Sequence, residues 1–205
     1  MLELEFIVEK DRLKFFCSFF GREYTDDLIE ESSIFLSKVK RNWQENQSIF
    51  ENRSKVFFEG LNFGPSVKVS ILPEYFKLGC SNTDDRLILF GQPIRSKNFS
   101  SAIITHELCH ILLKSNGYQN PPIIDEVLAM LSELPFYRNG IDDLDKIWPD
   151  AELDEFHLAA KKIIINNHLS LDKNFRDHIR SLEKTLSKDL LAFRPKVGLL
   201  RNLTT

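Results

Sequence analysis

The sequence predicts an α+β protein, with a small antiparallel or mixed sheet packed on one central helix and a mainly helical C-terminal part. Two patterns predict this class. Apolar and polar residues alternate in a few short segments, as in half-buried strands, and apolar residues recur every three or four positions in longer segments, as in amphipathic helices. The chain has 205 residues and no Ser-, Gly- or Pro-rich linker, so we expect a single domain over residues 1–205.

Residues 1–65 are predicted to form one strand and two helices. Apolar and polar side chains alternate over 2–8, which indicates a strand. Helical spacing follows over 11–20 up to Gly21, and a longer helix begins near residue 25 and reaches residue 50 or beyond. The apolar stripes of the two helices consist of Leu13, Phe16, Cys17 and Phe20 in the first and of Leu28, Phe35, Val39 and Trp43 in the second.

Residues 66–135 are predicted to hold the sheet and two further helices. A period of two returns in three short pieces of 66–91, which we interpret as an antiparallel meander. A helix then runs from residue 100 or 101 to residue 115, where Asn116-Gly117 provides a left-handed stop. After a loop with two prolines, another helix is predicted over 123–134.

Residues 136–205 are predicted to be mainly helical, with one helix near 150–167 and a second near 171–193. The run Ile163-Ile164-Ile165 fits a buried helix or a strand, because periodicity does not separate the two in so short a piece.

Composition excludes several classes of protein. The chain has 27 basic and 30 acidic residues, and this balance argues against a nucleic-acid-binding protein. No apolar run could span a bilayer and the first residues show no secretory signal, so no membrane partner is expected. The three cysteines, Cys17, Cys80 and Cys109, form no disulfide pattern and suit a reducing compartment. We therefore expect a cytoplasmic protein.

The segment His106-Glu107-Leu108-Cys109-His110 is the main candidate for a functional site, because its residue types and spacing suit a metal ion. His106 and His110 are four residues apart on a predicted helix, so both imidazoles project from one face and can share one metal ion. Glu107 lies about 100° further round the helix, where it can act as general base on a metal-bound water. Two imidazoles and a carboxylate suit one Zn²⁺ per chain, with a fourth position left for water. The opposite face of the helix is apolar and consists of Ile104, Leu108, Ile111 and Leu112.

Residues 66–135 resemble the catalytic core of the gluzincin metallopeptidases, zincins in which a Glu on a second helix completes the metal site. The resemblance rests on the strands, the HELCH helix, a loop, and then Asp125-Glu126-Val127-Leu128-Ala129 with Glu133 beyond. Glu-x-x-Ala followed by an acid is similar to the aminopeptidase N branch, and Glu-x-x-Ala is also similar to ImmA/IrrE-type peptidases. The resemblance implies a zincin-like fold, with His106, His110 and Glu126 as zinc ligands and Glu107 as base.

Asp125 is an alternative third ligand, because it precedes Glu126 by one residue and only one of the two should face the metal. We favour Glu126, with Asp125 as a solvated acid or a hydrogen-bonding partner of the site. The chain also departs from the family pattern. No Gly-x-Met-Glu-Asn-like amine-recognition motif precedes the helix, and Met130 stands where thermolysin-like enzymes have an Asp. The residue that holds a metal ligand in place by a hydrogen bond must therefore come from another part of this chain.

Several other polar residues are weaker candidates. Tyr118, Tyr137 and His157 could each reach the site and stabilise the transition state or hold a ligand in place. His168 and His178 lie among charged or polar residues, and we interpret them as solvated. Cys109 points nearly opposite to the ligands and is interpreted as a small buried apolar residue.

Strand 86–91 is a candidate for contacting the substrate. In the zincins that this chain resembles, the strand beside the active-site helix has a free edge, to which an extended peptide adds. That resemblance would place Leu87 and Leu89 near the substrate. The alternative is a strand that is paired on both edges or covered by a loop.

The leading hypothesis is a zinc metallopeptidase that hydrolyses a peptide or protein substrate, with Glu107 as the catalytic base. The alternative is a zinc-binding regulatory or interaction protein that keeps the site but is catalytically silent or latent. A third hypothesis is a helical interaction module in which the HELCH segment binds no metal. The sequence alone indicates neither the cleavage preference nor the oligomeric state.

Overall fold

The computed structural model describes residues 2–94 and 96–194, without the side chain of Lys146, and has a mixed α+β fold. Residues 195–205 of the predicted helical part lie outside the described residues. The strands are β1 (Leu4–Ile7), β2 (Val67–Ile71), β3 (Leu78–Asn82) and β4 (Leu87–Gly91). The helices are α1 (Lys10–Phe19), α2 (Asp27–Arg53), α3 (Phe99–Ser115), α4 (Pro122–Glu133), α5 (Leu144–Ile147), α6 (Glu155–Asn166), α7 (Phe175–Thr185) and α8 (Lys188–Ala192). Short 3-10 turns lie at Glu74–Phe76, Leu134–Phe136, Gly140–Asp143 and Asp150–Glu152.

The described strands form one mixed sheet in the order β1-β2-β4-β3. β2 runs parallel to both β1 and β4, and β3 pairs antiparallel with β4. The prediction of a small mixed sheet is confirmed, whereas the prediction of an antiparallel meander over 66–91 is wrong. Residue alternation marks a strand locally, but the direction of a strand relative to its neighbour depends on the connection between them. Here β3 lies at the edge, and β4 returns between β3 and β2.

The two faces of β4 contribute to two different apolar clusters. Ile88 and Phe90 lie in the large cluster that contains α3 and α4, while Leu87 and Leu89 pack with α1. This alternation follows from the period of two along a strand. The sheet is therefore covered on both faces, with α1 on one and α3 on the other.

The helix that carries the HELCH segment, α3, is deeply packed in the core. The four residues of its predicted apolar face, Ile104, Leu108, Ile111 and Leu112, are all 0% exposed. At roughly 1.5–3 kcal/mol for each fully buried aliphatic side chain, this face alone anchors α3 firmly in the core. α3 packs against the sheet and α4, and α4 in turn packs against α6. The two predicted ligand helices are thus adjacent.

The predicted boundaries hold closely for α1 to α4, and Gly117 adopts the left-handed conformation, with φ 81°, that was predicted to end α3. Phe20 differs from its prediction, because it follows the end of α1 and is 42% exposed. The ambiguous isoleucine run, Ile163-Ile164-Ile165, lies within α6 and is helical.

The C-terminal helices are shorter than predicted because capping residues divide them. Asp154 accepts hydrogen bonds from two backbone N–H groups and starts α6, so the predicted helix near 150–167 begins at Glu155. Ser187 caps α8 in the same way, and the predicted helix near 171–193 is two helices. Among residues 2–94 and 96–194, the structure contains no helix that is long and apolar enough to cross a membrane.

Candidate metal centre

Two imidazoles and one carboxylate converge between α3 and α4. His106 and His110 are one helical turn apart on α3, and their Nε2 atoms are 3.3 Å apart. The Oε1 atom of Glu126, on α4, lies 3.5 Å from Nε2 of His106, and its Oε2 atom lies 3.7 Å from Nε2 of His110. One ligand atom from each residue lies within 4.8 Å of the other two, so the group could hold a metal ion.

Burial and charge both favour a cation within this group. Glu126 is 6% exposed, and within the described chain its Oε1 atom makes no hydrogen bond. Burial alone would raise the pKa of Glu126, but the three nearby imidazoles, that of His106 foremost, lower it. Burial alone would lower the pKa of His106, but the charge of Glu126 and the hydrogen bond to Glu133 raise it to about 10. The buried carboxylate thus has an orphaned oxygen that a cation would satisfy.

The structure separates Glu126 from Asp125, the alternative third ligand. Glu126 lies in the group with the two histidines, whereas the Oδ1 atom of Asp125 accepts a hydrogen bond of 2.7 Å from Nδ2 of Asn120. Successive residues on a helix point about 100° apart, so the phase of α4 allows only one of them to face α3. α4 begins at Pro122, a residue favoured at the first position of a helix.

A second carboxylate, that of Glu133, contacts His106 on the side of the ring opposite to the ligand group. The Nδ1–H group of His106 donates to Oε1 of Glu133 over 2.7 Å, which leaves Nε2 facing the ligand group. The other oxygen of Glu133 accepts hydrogen bonds from the hydroxyl of Tyr137 and, over 2.9 Å, from Nε1 of Trp148. Glu133 is 0% exposed, so these three donors replace the water that a buried carboxylate needs. The arrangement is a carboxylate–histidine pair of the kind that orients metal ligands.

A cavity of about 340 Å³ opens beside the ligand group. Glu107, which is 7% exposed, lines it together with His106, Glu126 and Glu133. The rest of the wall is formed by Lys77, Leu78, Gly79, Gln92, Ile103, Met130, Trp148, Glu152, Leu153, Asp154 and His157. A molecule in this cavity would therefore meet both Glu107 and the candidate metal ligands.

His157 reaches the centre from α6. Its Nε2 atom lies 3.5 Å from Oε1 of Glu126, and its Nδ1 atom lies 2.8 Å from Oδ1 of Asp154. Asp154 also caps α6, so the same carboxylate starts the helix and orients the imidazole that the helix presents. The side chain of His157 is 41% exposed and lines the cavity. Of the three weaker candidates, His157 is thus the one whose side chain lies beside both Glu126 and the cavity.

Other predicted site residues lie elsewhere or act indirectly. The hydroxyl of Tyr118 accepts a hydrogen bond of 2.7 Å from Nε of Arg176, and its ring packs on Phe175. Tyr137 is 4% exposed and donates to Glu133, so it supports the partner of a ligand. Tyr118 is thus drawn to α7 because that helix packs over the loop between α3 and α4.

Of the two alternatives for strand 86–91, the structure shows the strand that is paired on both edges and not the one with a free edge. β4 pairs with β2 on one side and with β3 on the other. Leu87 and Leu89 are buried in the cluster around α1, on the far face of the sheet from α3. The strand at this edge of the described sheet is β3, whose residues Leu78 and Gly79 line the cavity.

The remaining histidines and cysteines are placed mostly as predicted. Cys109 is 0% exposed and is an apolar core residue, and burial raises the pKa of the Cys80 thiol to about 12. His168 is exposed, as predicted. His178 is not solvated: it is 2% exposed and hydrogen-bonds through Nε2 to the backbone oxygen of Ser170. The apolar stripe of α7 turns His178 inwards because it lies three residues from Phe175.

Sequence reasoning assigned no role to Trp148 or Asp154 and did not recognise Glu133 as the partner of His106. The only available signal was the spacing of Glu133, seven residues after Glu126, which places both on the same side of α4. Trp148 lies in an irregular segment, and no periodicity predicts where its indole points.

The chain matches no family model, no curated protein and no solved structure. The fold and the site thus define a mixed α+β protein with a candidate His/His/Glu metal centre.

Proposed function

We propose that this chain is a zinc-dependent metallopeptidase with a gluzincin-like, zincin-type catalytic core. The observation that carries the proposal is the convergence of His106, His110 and Glu126 beside a cavity that Glu107 also lines. This is the arrangement that metal-assisted hydrolysis needs: three protein ligands, an open side, and a general base that is not itself a ligand.

Zinc is the metal that fits the donor set best. Two imidazole nitrogens and one carboxylate oxygen suit Zn²⁺, and three protein ligands are typical of its catalytic sites. The orphaned Oε1 atom of Glu126 supports an additional cation at this position. When bound, zinc would act as a Lewis acid and lower the pKa of a coordinated water.

Three other residues of the chain transfer the proton, contact the oxyanion and orient a metal ligand. Glu107 accepts the proton of the attacking water and passes it to the departing amine. In its doubly protonated form, His157 donates through Nδ1–H to Asp154 and through Nε2–H to the oxyanion that forms at the attacked carbonyl. Glu133 keeps His106 in the tautomer that presents Nε2 to the ligand group.

The substrate in this proposal is an extended peptide that adds to β3. Leu78 and Gly79 of this strand line the cavity, and β3 has β4 as its partner in the described sheet. A peptide paired with β3 would use backbone hydrogen bonds and enter the cavity beside Glu107. The substrate strand expected at β4 is therefore reassigned to β3.

The proposal is tested with the Glu107→Gln variant. The purified wild type should contain about one zinc per chain and cleave members of a mixed peptide library. Glu107→Gln should keep the zinc and lose activity by at least about 100-fold, because the amide cannot accept the proton. Glu183→Gln, at an exposed position on α7, serves as the matched control and should behave as the wild type. A Glu107→Gln variant that cleaves at the wild-type rate contradicts the mechanism.

A second candidate function is a zinc-stabilised regulatory protein without turnover. The observation that favours it is the distance of 3.5 Å between Nε2 of His157 and Oε1 of Glu126, which would let His157 act as a fourth ligand and close the site. His157→Ala separates the two functions. In the peptidase, zinc affinity stays the same and kcat falls by about 100-fold. In the closed site, zinc affinity itself falls.

We also propose that the protein works in the cytoplasm. Cys17, Cys80 and Cys109 are all free, although each lies in a folded part of the chain, and free cysteines suit a reducing compartment.

A further inference from the structure

Lys161 is a buried charge that the proposed reaction does not use. It lies on α6 and is 1% exposed. Its ammonium group contacts Oδ1 of Asp145 at 2.6 Å and Oδ1 of Asp150 at 2.7 Å, and donates to the backbone oxygen of Trp148 over 2.8 Å. These three acceptors match the three N–H donors of a lysine. Lys161 therefore clamps the segment 145–150 at three points.

The clamp keeps a charge at a position where an apolar side chain would also fit. The side chains of Asp145 and Asp150 are 75% and 61% exposed, so both carboxylates would be well solvated without Lys161. Only the lysine loses its water, which alone would lower the pKa of its ammonium group, but Asp145 and Asp150 outweigh this burial and raise the pKa. An apolar side chain of similar length, such as methionine, would fill the same space without burying a charge. A charge kept in such a place is suited to fixing the position of its partners.

One residue of the clamped segment, Trp148, contacts the candidate metal centre. Trp148, whose backbone oxygen Lys161 holds, donates from Nε1 to Oε2 of Glu133 over 2.9 Å. Glu133 accepts from His106 through its other oxygen at 2.7 Å. The indole also packs on Phe99 of α3, with ring centroids 6.0 Å apart. A continuous set of contacts thus leads from Lys161 to a metal ligand.

We propose that Lys161 is a positioning residue for the metal centre: it fixes Trp148 so that the indole N–H holds Glu133 in the orientation that His106 requires. The inference rests on the metal site of the proposed function but not on peptide hydrolysis. Its readout is the affinity and geometry of the metal site.

The test is a double-mutant cycle with Lys161→Met and Trp148→Phe. Zinc affinity is measured by competition with a chromophoric chelator, and site geometry by the visible spectrum of the cobalt-substituted protein. Each single variant should bind zinc about tenfold more weakly than the wild type and show a changed cobalt spectrum. Because both residues act through the same hydrogen bond, the double variant should bind no more weakly than Trp148→Phe alone. The metal-free Lys161→Met variant should still unfold in one cooperative transition, so that its weaker zinc binding reports on the metal site and not on a loss of the fold.

The matched control is Lys114→Met. Lys114 lies on the ligand helix α3 and pairs with Asp84 at 2.7 Å, but its side chain is 56% exposed. This variant should keep the wild-type zinc affinity and cobalt spectrum. A wild-type protein that binds zinc, together with Lys161→Met of equal affinity, overturns the inference alone. Additive losses in the double variant also overturn it, because they would separate Lys161 from Trp148. A wild type that binds no zinc overturns the metal site and the inference together.

Discussion

At the scale of single residues, His106 combines two carboxylate contacts with burial. It donates to Glu133, lies 3.5 Å from Glu126 and is 9% exposed. In the metal-free protein its pKa is raised to about 10, because the neighbouring carboxylates outweigh the effect of burial. At neutral pH, metal-free His106 therefore carries a second ring proton, on Nε2, which a metal must displace.

This proton predicts that metal binding strengthens as the pH rises. Below pH 10 the metal-free site holds the proton, and the metal-bound site does not, so each unit of pH should raise the apparent zinc affinity by about tenfold from this group alone. Calorimetry of zinc binding at pH 7 in buffers with different ionisation enthalpies should show proton release. A binding enthalpy that is the same in all buffers would contradict the prediction.

Sequence reasoning reached the residues whose positions are set locally. His106, Glu107 and His110 follow from the geometry of one helix, and the structure places all three at the cavity or in the ligand group. The partners of Glu133 could not be predicted in this way. Trp148 is separated from Glu133 by fourteen residues without a long helix or strand, and its position depends on the packing of Lys161.

At the scale of elements, the ligand group connects α3 to α4. Two ligands come from the first helix and one from the second, and a loop of six residues, 116–121, joins them. Ser132 adds a direct link, since its hydroxyl contacts the backbone oxygen of Thr105 at 3.3 Å. A metal ion bound here would act as a cross-link between two helices that already pack together.

The cross-link predicts that metal raises the melting temperature. At a free zinc concentration about 100 times the Kd, binding should stabilise the fold by about 2.7 kcal/mol, which corresponds to roughly 5–10 °C for a domain of this size. Thermal unfolding with zinc and with a chelator measures the difference. His110→Ala is the control, because it removes one ligand, and its melting temperature should respond little to either addition.

The order of the strands in the sheet could not be predicted from the patterns of the single strands. All four strands were predicted in roughly the right places, but their order was not. The edge position of β3 follows from β4 returning between β3 and β2, which pairs two strands that are separated by fifteen residues, 72–86. This matters for the proposed substrate, because the edge strand of the described sheet beside the cavity is β3 (Leu78–Asn82) and not β4 (Leu87–Gly91).

At the scale of the whole molecule, α7 joins the C-terminal part to the segment that follows α2. The backbone N–H of Phe175 donates to the oxygen of Phe57 over 3.1 Å, and the side chain of Asn174 donates to the oxygen of Glu59 over 2.9 Å. Arg176 donates to Gly60 and to Tyr118. The ring of Phe175 is 0% exposed at the centre of these contacts. Three distant parts of the chain therefore meet at one aromatic side chain.

The position of Phe175 predicts a large loss of stability without a change in the metal site. Phe175→Ala should lower the free energy of unfolding by about 3–5 kcal/mol, because it removes a fully buried ring from the junction. Urea unfolding measures this loss. Phe15→Ala, at a position that is 44% exposed, is the matched control and should change stability by about 0.5 kcal/mol or less. The folded Phe175→Ala variant should keep its zinc affinity, because Phe175 does not contact the ligands.

The packing of α3 has a consequence for how this chain can diverge. The two residues between Glu107 and His110, namely Leu108 and Cys109, are both 0% exposed, so the ligand-bearing segment is also part of the core. A substitution of His110, whose side chain is 23% exposed, would remove a candidate metal ligand without disturbing this core. Leu108 could not be replaced as readily. Related sequences without the metal ligands would therefore still keep apolar residues at positions 108 and 109. Transfer of the five residues of the HELCH segment to a surface helix would expose Leu108 and Cys109, which are buried here.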